Sequence, residues 1–339
     1  MTNPVTNPVA VEVLRDGRVE SFHRGSVAVC DVQGVVRLAR GDVESPIFPR
    51  SALKPIQALP LLETGAAEAF AVSDAELALA CASHNGEALH ADVVNRWLSR
   101  LDLSEQALAC GAHWSLSESV ARTMAEKGDR PSDIHNNCSG KHAGMLTTAR
   151  HLGGDVEGYE IADHPVQIKV RDAISEMSDY DLSVAGAAID GCSVPAYAIP
   201  LAGLARAFAR LSQPHGTQAV RAESCRRLVS AMASNPFMVA GTGRYCTNVI
   251  ETGKGRLLVK TGAEGVMAAT LPELGVGVAV KIDDGARRAA EVTMAAVLLE
   301  IGGLPEESRN CLRNYTTAPL RNWRGQVVGA IRVASGFPS

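Results

Sequence analysis

Hydrophobic residues recur with the period of β-strands near both ends of the chain and with the period of helices between them. Apolar runs within residues 26–43 flank the Gln33-Gly34 turn, a pattern typical of a strand hairpin. From about residue 56 the apolar positions follow the helical period instead. The helices predicted in this stretch cover residues 74–82, 91–101, 117–127 and 166–177.

The second half of the chain returns to sheet after two more predicted helices, over residues 201–211 and 219–232. Three short β-rich runs then follow one another, separated by turns that contain glycine. They predict antiparallel strands over residues 257–260, 266–270 and 276–282. An amphipathic helix over residues 285–301 and a short strand over residues 326–333 complete the pattern.

Strands at both ends with a helical block between them predict a mixed α/β fold rather than alternating βαβ units. We expect an antiparallel sheet domain formed by residues 1–50 and 182–339. A mostly helical subdomain, residues 51–181, would be inserted into it. The two parts would form one integrated unit with the functional site between them.

Composition and charge narrow the functional classes. The 339 residues carry a formal net charge of −4 with acids and bases interspersed, so we expect no nucleic-acid partner. The longest apolar runs fall far short of the roughly 20 residues that span a bilayer, so no membrane partner is expected either. Residues 1–10 lack a secretory signal, which predicts a cytoplasmic location. The eight scattered cysteines then predict free thiols rather than disulfides.

The segment Arg50-Ser51-Ala52-Leu53-Lys54 predicts a nucleophile and its base. Residues three apart share one face of a helical turn, so the Ser51 hydroxyl can lie beside the Lys54 amine. An unperturbed lysine, with a pKa of roughly 10.4, is a poor base at pH 7, so burial or a second cation must lower that pKa. Pro55 and Pro60 cannot both lie inside one regular helix, which predicts a turn at Ser51 leading into a kinked helix.

Two more short motifs add groups of the same kind. Lys260-Thr261-Gly262 offers a second lysine at a predicted strand edge, and Ser83-His84-Asn85 offers a hydroxyl and an amide after a helix. With Ser-x-x-Lys they resemble, in chain order, the three motifs of serine β-lactamases and penicillin-binding proteins. The alternatives are an ordinary helix cap for Ser51 and a solvated strand-edge charge for Lys260.

Five longer segments extend this likeness well beyond short motifs. They are residues 48–57 (FPRSALKPIQ), 81–86 (CASHNG), 136–144 (NNCSGKHAG), 190–192 (DGC) and 260–265 (KTGAEG). Together they resemble the rhizobial-type, or class 3, L-asparaginases, also called the asparaginase II family. The likeness runs in the same order from about residue 10 to residue 335.

That resemblance implies a fold similar to that of serine β-lactamases and glutaminases. It implies hydrolysis of L-asparagine to L-aspartate and ammonia by a homodimer. It also implies two Ser-Lys pairs, which would be Ser51 with Lys54 and Ser83 with Lys260. Ser51 would attack the side-chain amide, and water would then hydrolyse the acyl-enzyme.

Substrate binding calls for further polar groups. The α-carboxylate and α-ammonium of the substrate need charged partners, for which Arg50, Asp190 and Glu264 are candidates within these segments. His84 and Asn85 complete the predicted substrate-binding set. Salt bridges within the protein are the alternative for the three charged residues. Backbone N–H groups, at Ser51 or in a glycine-rich turn, are candidates for an oxyanion hole.

The resemblance also implies a zinc site at Cys138, Lys141 and Cys192. Thiolate and imidazole suit zinc, and His135 and His142 lie close to Cys138 in sequence. A lysine ligand is unusual because it must lose its proton to bind, and buried free cysteines are the alternative. We expect zinc to tune substrate binding rather than to activate the attacking water, and we expect no organic cofactor.

Other classes of function stay open on the sequence alone. Glutamine differs from asparagine by one methylene, worth only about 1–3 kcal/mol of discrimination in a pocket, so a glutaminase is a close alternative. A serine acylase directed at β-lactams would use the same motifs but would be expected to carry an export signal. A non-catalytic zinc-binding protein of this fold would be expected to lose a serine or lysine of the two pairs, and all four are present.

Overall fold

The computed structural model describes residues 6–183 and 186–337, and β-strands lie near both ends of this chain. The strands are, in chain order, β1 (Val9–Arg15), β2 (Arg18–Asp31), β3 (Val36–Arg40), β4 (Pro46–Ile47), β5 (Ala188–Ile189), β6 (Pro195–Ala196), β7 (Ile199–Pro200), β8 (Leu258–Thr261), β9 (Val266–Leu271), β10 (Val276–Ile282), β11 (Thr317–Arg321) and β12 (Val327–Val333). Eight of them form one antiparallel sheet, and β4–β7 and β5–β6 form two short ribbons.

The large sheet has the strand order β11-β12-β1-β2-β10-β9-β8, and β3 pairs with β2 beside this path. The long strand β2 joins its two halves. The first part of β2 pairs with β1 and is largely exposed, whereas its last residues are buried and pair with both β10 and β3. Strand β8, which carries Lys260, lies at the far end of the buried half.

The α-helices are, in chain order, α1 (Lys54–Gln57), α2 (Leu59–Glu63), α3 (Ala66–Ala69), α4 (Asp74–Ala80), α5 (Ala88–Arg100), α6 (Glu118–Glu126), α7 (Ser139–His151), α8 (Pro165–Ser178), α9 (Leu201–Ser212), α10 (Ala219–Ser234), α11 (Pro236–Ala240), α12 (Tyr245–Gly253), α13 (Arg287–Ile301) and α14 (Glu306–Thr316). Short 3₁₀ turns cover Arg50–Leu53, Glu105–Ala107, Asp133–His135 and Pro272–Leu274. None of the described helices has the length and apolarity that crossing a membrane requires.

Helices cover the buried half of the sheet. Helix α9 packs on β2, β9 and β10, while α13 packs on β1, β9, β10 and β12. Strands β8 and β9 are buried at every residue, so β9 is almost entirely apolar and lacks the alternation of a half-exposed strand.

A second group of helices surrounds α4 and α7. Helix α4 contacts α7 and α5 from the middle of the chain, and it also contacts α10 and α11 from beyond residue 182. Helices from both sides of the predicted boundary therefore pack together. The proposed domain limits stay a prediction, and they include residues 1–5, 184–185 and 338–339, which lie outside the described residues.

The predicted mixed α/β fold, with an antiparallel sheet and a largely helical middle, is confirmed. Each helix and strand predicted above is present, with ends that differ by at most three residues, and β2 and β3 form the predicted hairpin. Helix α7 is absent from the predictions. It is buried on all sides from Ser139 to Ala149, so its sequence has no polar face to reveal a helical period.

The contact between α9 and β10 generates a stability prediction. A Cβ atom on Gly277 of β10 would overlap the Ala205 carbonyl oxygen and the Ala209 amide nitrogen, both in the backbone of α9. Gly277→Ala should therefore lower the free energy of unfolding by about 1–3 kcal/mol, measured by urea denaturation. Gly154→Ala, at an exposed site where the new Cβ would meet only one atom at 3.7 Å, should stay within about 0.5 kcal/mol of the wild type. Equal stability of the two variants would contradict this account.

Candidate active site

Ser51 lies in a tight turn that leads into two short helices. Residues Arg50–Leu53 form the 3₁₀ turn, and α1 and α2 follow with a break at Ala58. Pro55 and Pro60 each occupy the first turn of one of these helices, where a missing N–H costs nothing. The predicted turn at Ser51 and the predicted kink are both confirmed.

The turn carries the Lys54 side chain into the protein interior. Lys54 is 1% exposed, and its Nζ donates hydrogen bonds to the Ala82 carbonyl at 2.6 Å, the Asn137 carbonyl at 3.2 Å and the Ser83 Oγ at 3.0 Å. An ammonium has three protons, so these contacts can use all of them. Lys54 therefore bonds to Ser83, 29 residues away, although the sequence pairs it with Ser51.

Lys260 approaches the same hydroxyl from the sheet. It is also 1% exposed, and its Nζ lies 2.9 Å from the Ser83 Oγ and 2.9 Å from the Thr261 carbonyl oxygen. The Ser83 hydroxyl thus lies between two buried lysine amines, one from α1 and one from β8. The structure brings together three of the four predicted catalytic residues in one hydrogen-bonded group.

The Lys260 amine holds its proton less readily than an ordinary lysine. Burial and, next in importance, the positive charge of Lys54 lower the pKa of Lys260 to about 7. Near pH 7 a substantial share of Lys260 is therefore neutral and able to accept a proton. Ser83 links this base to Lys54.

Ser51 lies in the turn that packs against β8, the strand of Lys260. It is partly exposed, and within residues 6–183 and 186–337 neither its hydroxyl nor its backbone N–H makes a hydrogen bond. The turn packs against the end of β8, where a Cβ atom on Gly262 would lie 2.5 Å from the Pro49 carbonyl oxygen. Ser51 therefore offers an unoccupied hydroxyl and an unoccupied N–H next to the Lys260 strand.

Arg50 and Asp190 are joined by an ion pair. The Arg50 Nε donates to the Asp190 Oδ1 at 2.6 Å, which ties the Ser51 turn to the turn between β5 and β6. Arg50 and Glu264 both adopt left-handed backbone conformations, with φ values of 51° and 52°. Strain of this kind often marks functional sites in proteins.

A cavity of about 360 Å³ opens beside the Ser51 turn. Its lining includes Arg50, Glu264, Lys281, Phe48 and Ile189. Of the predicted substrate-binding residues, Arg50 and Glu264 thus share one cavity. Asp190 instead holds the Arg50 guanidinium.

His84 and Asn85 are fully buried and use their polar atoms inside the protein. The His84 Nδ1 accepts from the Gly86 N–H at 3.0 Å, so its Nε2 donates to the Ser139 Oγ at 3.1 Å. The Asn85 amide contacts Glu87, Thr242 and Arg244. These contacts fix the segment after Ser83, and they leave no polar atom of either side chain free for a substrate.

The three predicted zinc ligands lie together in the interior of the protein. Cys138, Lys141 and Cys192 are all buried, and the Lys141 Nζ is 3.0 Å from the Cys192 Sγ. A hydrogen bond from the Cys192 thiol holds the pKa of Cys138 well below its usual range. Burial opposes a charge on Lys141, but the neighbouring Cys192 and Cys138 outweigh it and raise the pKa of Lys141 to about 12.

This donor set fits a zinc ion, because two thiols, one of them readily ionised, meet an amine in a buried place. The described residues contain no group of three or more His, Cys, Asp or Glu side chains that could hold a metal, so zinc here would need Lys141 as a donor. His142 is a neighbour with its Nδ1 bonded to the Tyr159 hydroxyl. Its buried Nε2 has no partner among the described residues.

Arg244 contacts Ser83 and Asn85, and no sequence pattern predicts these contacts. Its Nη1 donates to the Asn85 Oδ1 at 2.7 Å and lies 3.4 Å from the Ser83 carbonyl oxygen. The Gly241–Arg244 turn has neither a phosphate-binding motif nor a helical period, so only the folded chain shows what it touches.

Several solved structures are similar to this chain over much of its length. They include Mglu in its native form in 4.3 M NaCl, with 16% identity, a TM-score of 0.40, and coverage of 86% of this chain and 60% of Mglu. A β-lactamase from Mycobacterium bovis has 15% identity and a TM-score of 0.41, with coverage of 86% and 95%. At TM-scores below 0.5 this likeness carries no argument about the chain.

The chain thus spans 60% of the length of Mglu, which has also been solved in an L-glutamate-binding form with 16% identity to this chain and a TM-score of 0.40. A search of curated proteins found no significant match. The sequence model of one family, described as L-asparaginase II, matches residues 11–333. Because that match covers nearly all of the 339 residues, the protein belongs to the L-asparaginase II family.

Proposed function

We propose that the protein hydrolyses the side-chain amide of L-asparagine to L-aspartate and ammonia through an acyl-enzyme on Ser51. The observation that carries this proposal is the convergence of two buried lysine amines on the Ser83 hydroxyl. Membership of the L-asparaginase II family supports an amidohydrolase of this type. The homodimer and the cytoplasmic location that the resemblance implies stay predictions.

Acylation begins with transfer of a proton away from Ser51. As the Ser51 oxygen forms its bond to the amide carbon, the Ser83 proton passes to neutral Lys260, a Lys54 proton passes to Ser83, and the Lys54 amine takes the Ser51 proton in its place. The same chain, run in reverse, returns a proton to the nitrogen as the carbon–nitrogen bond breaks and ammonia leaves. Water then attacks the ester with the same proton acceptors.

Two backbone N–H groups support the charge that develops on the carbonyl oxygen. The Ser51 N–H is free, and in the turn after β8 the Ala263 N–H likewise makes no hydrogen bond to any described residue. Donors arranged before the reaction stabilise an oxyanion without further reorganisation. Both are therefore our candidates for the oxyanion hole.

The substrate's charged groups would bind in the cavity beside the turn. The exposed Glu264 carboxylate suits the α-ammonium, and the Arg50 guanidinium, oriented by Asp190, suits the α-carboxylate. Fixing both ends of a small amino acid would place its side-chain amide reproducibly. The buried contacts of His84 and Asn85 support a positioning role for them.

Cys138, Lys141 and Cys192 would hold zinc, whose charge would help to orient the polar groups of the substrate. Lys141 would have to give up its proton to the solvent on binding. No step of the proton transfer requires the metal.

Replacement of the two serines separates the nucleophile from the proton relay. Ser51→Ala should lower kcat for L-asparagine by about 10⁴-fold or more and abolish the acyl-enzyme seen by mass spectrometry of quenched reactions. Ser83→Ala should lower kcat by roughly 10²- to 10⁴-fold and still form the acyl-enzyme. Ser99→Ala, on the exposed face of α5, is the control. An acyl group found on Ser83 would refute the assignment of Ser51.

The pKa of Lys260 predicts the dependence of activity on pH. The base must be neutral, so log(kcat/KM) for L-asparagine should rise with pH and level off above about 7. Lys260→Arg, whose guanidinium keeps its proton, should be nearly inactive throughout this range. A wild-type profile that is flat from well below pH 7 would argue against Lys260 as the base.

The metal site can be tested without activity. Purified protein supplied with zinc should hold about one equivalent by elemental analysis, and Cys138→Ser/Cys192→Ser should hold almost none. Cys225→Ser, which removes another buried cysteine, should keep the wild-type content. Persistence of one zinc equivalent in the double variant would rule out these ligands.

A further inference from the structure

Arg244 is a buried cation in an unusual setting. Its side chain is 9% exposed, and among the described residues no carboxylate lies within ion-pairing distance of it. Its hydrogen bonds to described residues go to two neutral oxygens, the Asn85 Oδ1 and the Ser83 carbonyl oxygen. Burying a guanidinium without a counter-charge is costly, so its place here calls for a function.

The end of α11 and the turn after it, which carries Arg244, make hydrogen bonds to Ser83 and to Asn85. The Ser83 and Asn85 N–H groups donate to the carbonyl oxygens of Val239 and Ala240, at 3.1 Å and 2.9 Å. The Asn85 Nδ2 donates to the Thr242 carbonyl oxygen at 3.2 Å. Together these contacts hold the backbone of Ser83 and Asn85 in place.

Close approach at this turn requires glycine. Gly241 has a φ of 108°, and a Cβ atom there would lie 2.5 Å from the Glu87 Oε1 and 2.8 Å from the Asn85 Nδ2. Glu87 itself accepts from the Thr242 N–H at 2.7 Å. The Glu87 carboxylate is thus hydrogen-bonded to Thr242 in the turn, and among the described residues it forms no ion pair with Arg244.

We propose that Arg244 is a positioning residue for the reaction: it holds the Ser83 backbone and the Asn85 amide, and it places a permanent positive charge next to Ser83. This rests on the proposed function, in which Lys260 is the proton acceptor. Arg244 would be a third cation around Ser83, and the only one of the three that cannot give up its proton near pH 7.

The electrostatics agree with this geometry. The charge of Arg244 acts on Lys260 in the same direction as burial and Lys54, lowering its pKa. Cys246 on α12 and Cys138 before α7 act on Lys260 in the opposite direction. The buried Cys81 thiol also interacts with the Lys260 charge, but burial raises the pKa of Cys81 to about 12, so this thiol is neutral near pH 7. Loss of the Arg244 charge would therefore leave Lys260 easier to protonate.

Lysine titration by NMR tests this inference without any substrate. The chain has only seven lysines, so ¹³Cε spectra are simple and Lys260→Arg identifies the Lys260 resonance. In the wild type that resonance should titrate near pH 7. In Arg244→Gln its midpoint should move to higher pH by roughly one pH unit, whereas in Arg244→Lys, which keeps the charge, it should stay in place.

Two further variants keep the test decisive. Asn85→Asp places a carboxylate against the guanidinium and should also raise the midpoint, which covers the case in which Arg244→Gln does not fold. Arg256→Gln removes an exposed arginine paired with Glu273 and should leave the midpoint unchanged. An unchanged Lys260 midpoint in the folded Arg244→Gln or Asn85→Asp protein would overturn the proposal.

Kinetics then separate this inference from the proposed function. The acidic limb of the kcat/KM profile should follow the NMR midpoint in each Arg244 variant, and Arg244→Lys should retain more activity than Arg244→Gln. Wild-type protein that hydrolyses no asparagine would contradict the proposed function, yet the NMR midpoints would still report on Arg244. Equal activity losses in both variants with unmoved midpoints would reduce Arg244 to a structural residue.

Discussion

The burial of two lysine amines against one serine hydroxyl is the constraint on which the rest of this site depends. Two like charges in a low-dielectric interior repel each other and are poorly solvated, so the arrangement favours one neutral amine. Lys260 is the amine that becomes neutral, because its pKa is lowered to about 7. A base that works near neutral pH thus follows from where the two side chains lie, without any unusual chemistry in lysine itself.

Distant parts of the chain must meet to hold this arrangement. Lys54 is the first residue of α1, Ser83 lies just after α4, and Lys260 lies on β8, the strand at one end of the sheet. Carbonyl oxygens of Ala82, Asn137 and Thr261 accept the remaining lysine protons. Since buried donors without partners are costly, these carbonyls are as necessary to the site as the serine itself.

Much of this could be predicted from local sequence, because local rules govern it. The proline spacing predicted the kink after Ser51, and short β-rich runs separated by glycine-containing turns predicted β8 and its neighbours. The partner of Lys54 could not be predicted, because helical spacing favours Ser51 whereas tertiary packing favours Ser83. Likewise, the sequence could not show that His84 and Asn85 point into the protein, or that Arg244 would contact them.

The most direct test of this account is to locate the protons around Ser83. Neutron diffraction from deuterated crystals, grown about one pH unit above neutrality, would show them. The account predicts a Lys54 ammonium with three deuterons, a neutral Lys260 amine with two, and a Ser83 hydroxyl that accepts from Lys54 and donates to Lys260. Three deuterons on both lysines would contradict it, because neither amine could then accept the proton of the nucleophile.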